Sequence, residues 1–384
     1  YKDSCKECVE EKIMRENVLI VLSSLAVNNG VASCTMNYYK SVIEKGYHVD
    51  FLVLKKVHSE REEAVEKAGS NIYVLPETEK VISKAKNNFL KKLIKENGYS
   101  IVHVNIPYHN GTAVLKAAKS SRVSVRIYHV HCPKREDSIK TKLKSDIYTP
   151  CCVNNATDYL SCSHLAARSL FGKKKYHVLH NAIDAKKFEF DEDKRYKLRN
   201  AYGLDNAFVV GAVCRIDKLK NPFFLIDTFG EIKKRERSAK LVWLGSGDLD
   251  EQVKQYAKEK GLMSDCVFLG SRTDVNDWYS AMDILLFPST LEGLGMVLIE
   301  AQVSGLMCYT SKNVSEETDL TGLVHFADLS EGAPKWAETI LKQAKNYRRI
   351  SRIKEVTEAG YNIDSLRDDL GSIYDMCLNR RMVR

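Results

Sequence analysis

The chain has 384 residues, 44% of them hydrophobic and 28% charged, and a net charge of +9. That length exceeds what one core usually fills and predicts two domains, while the composition excludes a disordered, fibrous or disulfide-stapled chain. No run of about 18 apolar residues occurs and no signal-peptide pattern opens the sequence, so neither a spanning helix nor export is expected and a cytoplasmic location is.

The 11 cysteines are an odd number scattered through apolar contexts such as Cys162, Cys214, Cys266 and Cys308, which reads as core thiols in a reducing compartment. Cys5 and Cys8 form a C-x-x-C with no second pair at zinc spacing, so no metal site is expected there. The positive charge favours anionic partners. With no nucleic-acid module and no aromatics interleaved with the basic clusters, an acidic membrane surface or a phosphorylated substrate fits better than nucleic acid.

Residues 1–16 read as a charged tail. Residues 17–25, NVLIVLSSL, predict a first strand, and the turn AVNNG leads to a helix with Val31, Met36 and Tyr39 on its apolar face. This order places Gly30 where backbone can approach a phosphate, although an ordinary strand-to-helix turn looks the same. A strand (49–54), a charged helix and a short strand (71–75) follow. Between Glu77 and Asn97, Val81, Ile82, Ala85, Phe89, Leu90, Leu93 and Ile94 share one helical face, surrounded by Lys80, Lys84, Lys86, Lys91, Lys92 and Lys95. A solvated outer helix fits this pattern, as does a peripheral contact with an anionic membrane.

The runs 101–105 and 123–131 predict two more strands, with a helix starting near Gly111 between them. Their carboxyl ends face the crevice of an open parallel sheet, and alternation puts His129 and His131 on one face. The pair lacks a third metal ligand, and a core-satisfied histidine is the alternative. A basic excursion (134–144), a short strand, a helix capped at Ser163 and a strand ending near Leu179 complete the first half, with the boundary near Asp184.

The second half predicts short apolar strands at 208–213, 241–244, 266–269, 283–287, 306–310 and 323–326, as in a parallel sheet covered on both faces. Arg215 and Lys220 leave the first of these at its carboxyl end, where two cations would stabilise a departing diphosphate; as a bare pair they read equally as surface charges. Gly245 and Gly247 give a flexible turn. Asp248 with Asp250, and Asp191 with Asp193, read as helix-start carboxylates, not metal ligands. From Leu286 to Gly305, LFPSTLEGLGMVLIEAQVSG ends a strand, crosses a glycine loop and enters a helix at about Met296 that stops at Gly305. The amides of Gly293, Leu294 and Gly295 and the positive end of that helix suit a pyrophosphate. Glu292 and Glu300 are better acceptors for sugar hydroxyls, so a nucleotide sugar fits the whole stretch.

MDILLFPSTLEGLGMVLIEAQVSGL closely resembles the signature of the retaining nucleotide-sugar glycosyltransferases of family 4, which have the GT-B fold, two Rossmann-like doubly wound parallel-sheet domains facing across a cleft. NNGVASCTMNYYKSVIEKGYHVDFLV is similar to the family's opening GGV turn, with Asn29 for the first glycine and Ala32 for a common Glu. The H-x-H strand end, Arg215 with Lys220 five residues on, and the turn GSRTD also match; HNAID carries Ala182 where glycine is usual. SKNVSEETDLTGLVHF looks like members that build bacterial capsular and exopolysaccharides.

The resemblance implies an acceptor-side domain at 17–184, a donor-side domain at 185–360 and a closing segment at 361–384 whose helix crosses back. It implies retaining, metal-independent transfer of a hexose-type sugar from a UDP-sugar, or a GDP-sugar, to a glycan or lipid-linked oligosaccharide, with no cofactor beyond the donor. Glu300 would hold the ribose, Arg215, Lys220 and the amides of Gly293 to Gly295 the diphosphate, and Glu292 the donor sugar. His131, with His129 in reserve, would cover the anomeric region; Gly30 would approach the donor, and Arg272 lies where the base is met. The alternatives are an inactive glycan-binding partner of the same fold and a nicotinamide-dependent oxidoreductase, for which a full G-x-G-x-x-G is missing.

Overall fold

The computed structural model describes residues 16–27, 29–77, 83–134, 138–345, 347–365 and 370–382. Most of the tail, the Cys5/Cys8 pair and Lys80, Val81 and Ile82 lie outside that set. The first sheet holds β1 (Asn17–Leu22), β2 (His48–Val53), β3 (Ile72–Val74), β4 (Tyr99–Val104), β5 (Val125–Val130), β6 (Asp158–Ser161) and β7 (His177–Val178). Its strands run parallel in the order β3-β2-β1-β4-β5-β6-β7. The second holds β8 (Val209–Val213), β9 (Lys240–Leu244), β10 (Cys266–Gly270), β11 (Ile284–Phe287), β12 (Met307–Ser311) and β13 (Val324–Ala327), parallel in the order β10-β9-β8-β11-β12-β13. With helices on both faces, the inner strands are largely apolar; β1 from Val18 to Leu22 and all of β8 are buried. The architecture is GT-B.

In each sheet the winding reverses beside the first strand, between β1 and β4 and between β8 and β11. Loops leaving the carboxyl ends of such a pair diverge to opposite faces and open a crevice. The helix Leu370–Met382 crosses back to the first domain, where Leu370, Ile373, Tyr374, Cys377 and Leu378 join the core formed by Val18, Ile20, Tyr38 and Phe51. Tyr47 Oη donates to Asp375 Oδ1 at 2.6 Å to fix its rotation.

Several local expectations are corrected. The basic excursion leads into a 17-residue helix, Ile139–Asn155, which accommodates Pro150 and turns Ser145, Thr149, Cys152 and Val153 inward. Its polar inward face gives no apolar period to read. The helix expected near Gly111 begins three residues earlier, as Tyr108–Ser120. Gly111 lies inside it because a Cβ there would overlap the Ile106 carbonyl oxygen. Gly245 and Gly247 form no flexible turn: Cβ atoms would strike the carbonyls of Cys214 and Ile216, so the loop after β9 is clamped onto the loop after β8. The helix Lys84–Glu96 turns Leu90, Leu93 and Ile94 into the core, and Lys86, expected on the solvated side, is buried with Nζ 3.3 Å from Asn110 Oδ1. Among the described residues no helix is long and apolar enough to cross a membrane.

The chain's three tryptophans, Trp243, Trp278 and Trp336, are all buried in the second domain. Ile373→Ala is expected to remove about 2–5 kcal/mol from the first domain. Far-ultraviolet circular dichroism should therefore show an early melting step that tryptophan fluorescence follows weakly or not at all.

Candidate active site

The reversal point of the second sheet brings the principal charges together. After β8 the chain crosses Arg215 and makes a short turn at Lys218–Lys220, capped by Asp217, whose Oδ1 accepts from the amides of Leu219 at 3.0 Å and Lys220 at 3.3 Å. After β11 the chain returns alongside: Thr290 N donates to Leu219 O at 2.8 Å, and Ser289 Oγ donates to the same oxygen at 3.0 Å. The two loops are thus tied by backbone. Lys220 Nζ is in ion-pair contact with Glu292 Oε2 and lies 4.8 Å from the centre of the Phe287 ring. Both charges are largely shielded, which strengthens their attraction relative to water.

Beyond Glu292 the backbone is held close to the other domain. A Cβ on Gly293 would overlap the carbonyl oxygen of His131, and Ser163 Oγ donates to the Gly293 carbonyl at 3.1 Å. Leu294 is buried in an apolar cluster drawn from both domains, including Cys162, Ile183 and Tyr361. Gly295 adopts a left-handed conformation (φ 71°, ψ 64°) that starts the helix Met296–Val303. Among the described residues the amides of Gly293, Leu294 and Gly295 donate to no protein acceptor. Glu317 adds a second clasp, its carboxylate accepting from the amides of His164 at 2.9 Å and Leu165 at 3.0 Å, at the start of the helix His164–Phe171.

Glu300 projects from the helix Met296–Val303 and accepts from Tyr279 Oη at 2.6 Å; burial holds its pKa above the ordinary carboxylate value. Arg215 is 66% exposed and pairs with Asp217 at 2.7 Å, so it sits at the rim. Arg272 lies on the loop after the edge strand β10, in a bidentate pair with Asp274 at 2.6 and 2.7 Å. Asp250 accepts from Gly247 N at 3.0 Å and Asp191 caps the helix Glu192–Ala201, so each serves its own helix start. Among the described residues no group of three or more His, Cys, Asp or Glu could hold a metal ion.

From the first sheet, His131 follows β5 and its Nε2 lies 2.9 Å from Asn105 Oδ1, just past β4. Burial lowers its pKa to about 4, so the imidazole is neutral near pH 7. Gly30 is exposed at the start of the helix Gly30–Glu44, with open space where a Cβ would be. Asn29 Oδ1 accepts from the amides of Val31 at 3.1 Å and Ala32 at 3.3 Å, occupying two donors that an anion would otherwise meet. A cavity of about 1020 Å³ lies between the domains, lined by Lys134 and Ser169 on one side and Lys218, Asn221, Phe223 and Thr290 on the other.

Sequence reasoning missed Asp217, Tyr279, Asn105 and Glu317; it read Ser163 as the helix cap that it is, but not its bond to the Gly293 carbonyl. Of the missed residues only Asn105 left a signal, as the last residue of a strand directed at the crevice.

Residues 28–187 match the family described as Glycosyltransferase Family 4, and residues 207–346 that described as Glycosyl transferases group 1. The chain is a glycosyltransferase that resembles family 4 across both domains. This glycosyltransferase is 29% identical over 374 residues to EpsF of Bacillus subtilis, designated a glycosyltransferase, a match spanning 94% of this chain and 97% of EpsF. It is 27% identical over 258 residues, 63% of each chain, to the UDP-Gal:alpha-D-GlcNAc-diphosphoundecaprenol alpha-1,3-galactosyltransferase of Escherichia coli. The Anabaena protein Alr3699/HepE, solved with UDP and glucose, shares the fold with a TM-score of 0.78 at 16% identity, over 95% of this chain and all of that one. The match of both domains to glycosyltransferase families sets aside the nicotinamide-dependent oxidoreductase.

A carboxyl whose pKa is raised by folding stabilises the fold fully below its ordinary value and loses that contribution as pH climbs through the raised one. Glu300 is such a group. Glu300→Gln should melt close to the parent near pH 4 and above it by pH 8, with the gap opening as pH rises in a series of thermal unfolding curves.

Proposed function

We propose that this glycosyltransferase moves a hexose from a UDP-sugar to a saccharide carried on a lipid diphosphate, with retention and without a metal, in the synthesis of a cell-surface polysaccharide. The observation that carries this reading is the juxtaposition of Lys220, Glu292 and the free amides of Gly293 to Gly295, with His131 of the other domain packed against Gly293. The names of the Escherichia coli and Anabaena proteins support UDP as the nucleotide, and the former supports a lipid diphosphate acceptor.

In this mechanism the diphosphate lies against the amides of Gly293 to Gly295 at the positive end of the helix, with Lys220 drawn partly away from Glu292 onto the leaving oxygen. Arg215 swings in from the rim. Glu292 accepts from hydroxyls of the hexose, and Glu300 from the ribose. As the bond from the anomeric carbon to the phosphate oxygen lengthens, that oxygen takes the proton of the acceptor hydroxyl, which attacks on the same face. The products are the glycosylated acceptor and UDP. A neutral His131 suits this chemistry, since a cation there would oppose the positive charge growing on the sugar. Amides fixed in advance, joined by the two cations as the donor binds, supply the stabilisation that a metal gives in other transferases.

A membrane location follows from the acceptor. The helix Ile139–Asn155 exposes Ile139 (89%), Leu143 (58%) and Ile147 (51%) at four-residue intervals, with Lys140, Lys142 and Lys144 among them. This ridge, and not the helix Lys84–Glu96, is the peripheral contact in our reading, on the cytoplasmic face of an anionic membrane.

Lys220→Ala should lower kcat by about two orders of magnitude, the roughly 3 kcal/mol of a lost electrostatic donor. Full turnover would remove Lys220 from the mechanism. UDP at about a hundredfold excess over its Kd should add about 2.7 kcal/mol to stability in a thermal-shift assay, and GDP less. For the membrane, Ile139→Asp combined with Leu143→Asp should reduce co-sedimentation with phosphatidylglycerol vesicles while sparing transfer to a soluble acceptor.

A further inference from the structure

Behind His131 the first domain contains three polar atoms that are buried and unpartnered: Asn105 Nδ2, His129 Nε2 and His131 Nδ1. Asn105 is 8% exposed and His129 5%. All three residues line one cavity of about 180 Å³ over the carboxyl ends of β4 and β5, together with Val31, Tyr108 and Thr149. Leaving three such atoms unsatisfied is costly, so their surroundings call for a polar guest.

The hydrogen-bond directions define that guest. Tyr374, on the helix Leu370–Met382, is fully buried, and its hydroxyl lies 2.7 Å from His103 Nδ1, its single acceptor among the described residues. Tyr374 therefore donates to His103 Nδ1. His103 must then carry its proton on Nε2, which lies 3.1 Å from His129 Nδ1 and donates to it. That leaves the proton of His129 on Nε2, as a donor into the cavity. Asn105 and His131 behave differently. Whichever way the Asn105 amide is turned, its bond to His131 leaves one unmatched donor and one unmatched acceptor on the pair. A hydroxyl, which donates one hydrogen bond and accepts others, matches this set; an anion or an ammonium group does not.

We propose that Asn105 and His129, with His131, form a binding site for a pyranose hydroxyl, and that Tyr374 is a positioning residue that sets the His129 tautomer through His103. The proposal rests on the reading of the cleft as a sugar-transfer site. The hydroxyl belongs either to the transferred hexose or to the acceptor saccharide, two sources of the same chemistry.

The test uses the full chain, UDP-galactose and UDP-glucose with their monodeoxy forms, and methyl N-acetyl-α-glucosaminide with its monodeoxy forms. The parent enzyme should lose about 10- to 100-fold in kcat/KM on one deoxy analogue. Asn105→Ala and Asn105→Ser should erase that discrimination while keeping the thermal shift with UDP. Erasure in the donor series assigns the hydroxyl to the transferred sugar, and in the glucosaminide series to the acceptor. If UDP still binds and every deoxy penalty survives in both variants, the cavity holds water alone and the proposal fails. Failure of the parent to bind UDP would instead overturn the transfer reading. For Tyr374→Phe, nitrogen-15 spectra of the histidine rings should show the proton of His129 redistributed from Nε2; an unchanged tautomer would end its positioning role.

Discussion

Two parallel sheets, each reversing its winding beside its first strand, place their loops on opposite sides of a shared gap. Everything chemical in the molecule depends on that geometry. A parallel sheet buried on both faces cannot present side chains from its middle, so function is confined to strand ends. Lys220 and Glu292 follow adjacent strands that are 70 residues apart in the chain, and the bonds to the Leu219 carbonyl keep their loops from separating.

The cleft is fastened at its floor by backbone as much as by side chains. With no Cβ at 293, the glycine loop rests on the His131 carbonyl, and the Ser163 hydroxyl and Glu317 carboxylate bind across the same seam. The contact serves two ends. It registers one domain against the other, and by engaging the Gly293 carbonyl it leaves the neighbouring amides turned elsewhere. The lysine and glutamate hold one another, so neither is left as an uncompensated charge in a shielded place.

How much of this was legible follows from where each signal lies in the chain. The strands were readable because burial on both faces makes them continuous apolar runs, and the helix at Met296 because glycine precedes and follows it. Arg215, Lys220, Glu292 and Glu300 were singled out by the family resemblance, because as bare charges they read equally as surface residues; the structure pairs Lys220 with Glu292 and Glu300 with Tyr279, and leaves Arg215 at the rim. The partners that orient them were not legible. Tyr279 reaches Glu300 and Glu317 reaches His164 only through tertiary packing, which no local window records. The helix Ile139–Asn155 was hidden because it turns serine and threonine inward and leucine and isoleucine outward. The glycines at 111, 245 and 247 looked like turn formers, yet each is required by a carbonyl oxygen lying where its side chain would be.

The crossing helix carries a consequence for biosynthesis. Leu370, Ile373, Tyr374 and Cys377 fill the core of the domain made first, yet they leave the ribosome after the whole second sheet. The nascent first domain must wait, with an apolar trough uncovered, while its successor is completed. Assembly therefore finishes in the reverse of translation order, and the interval in between is when this chain most needs shelter from aggregation.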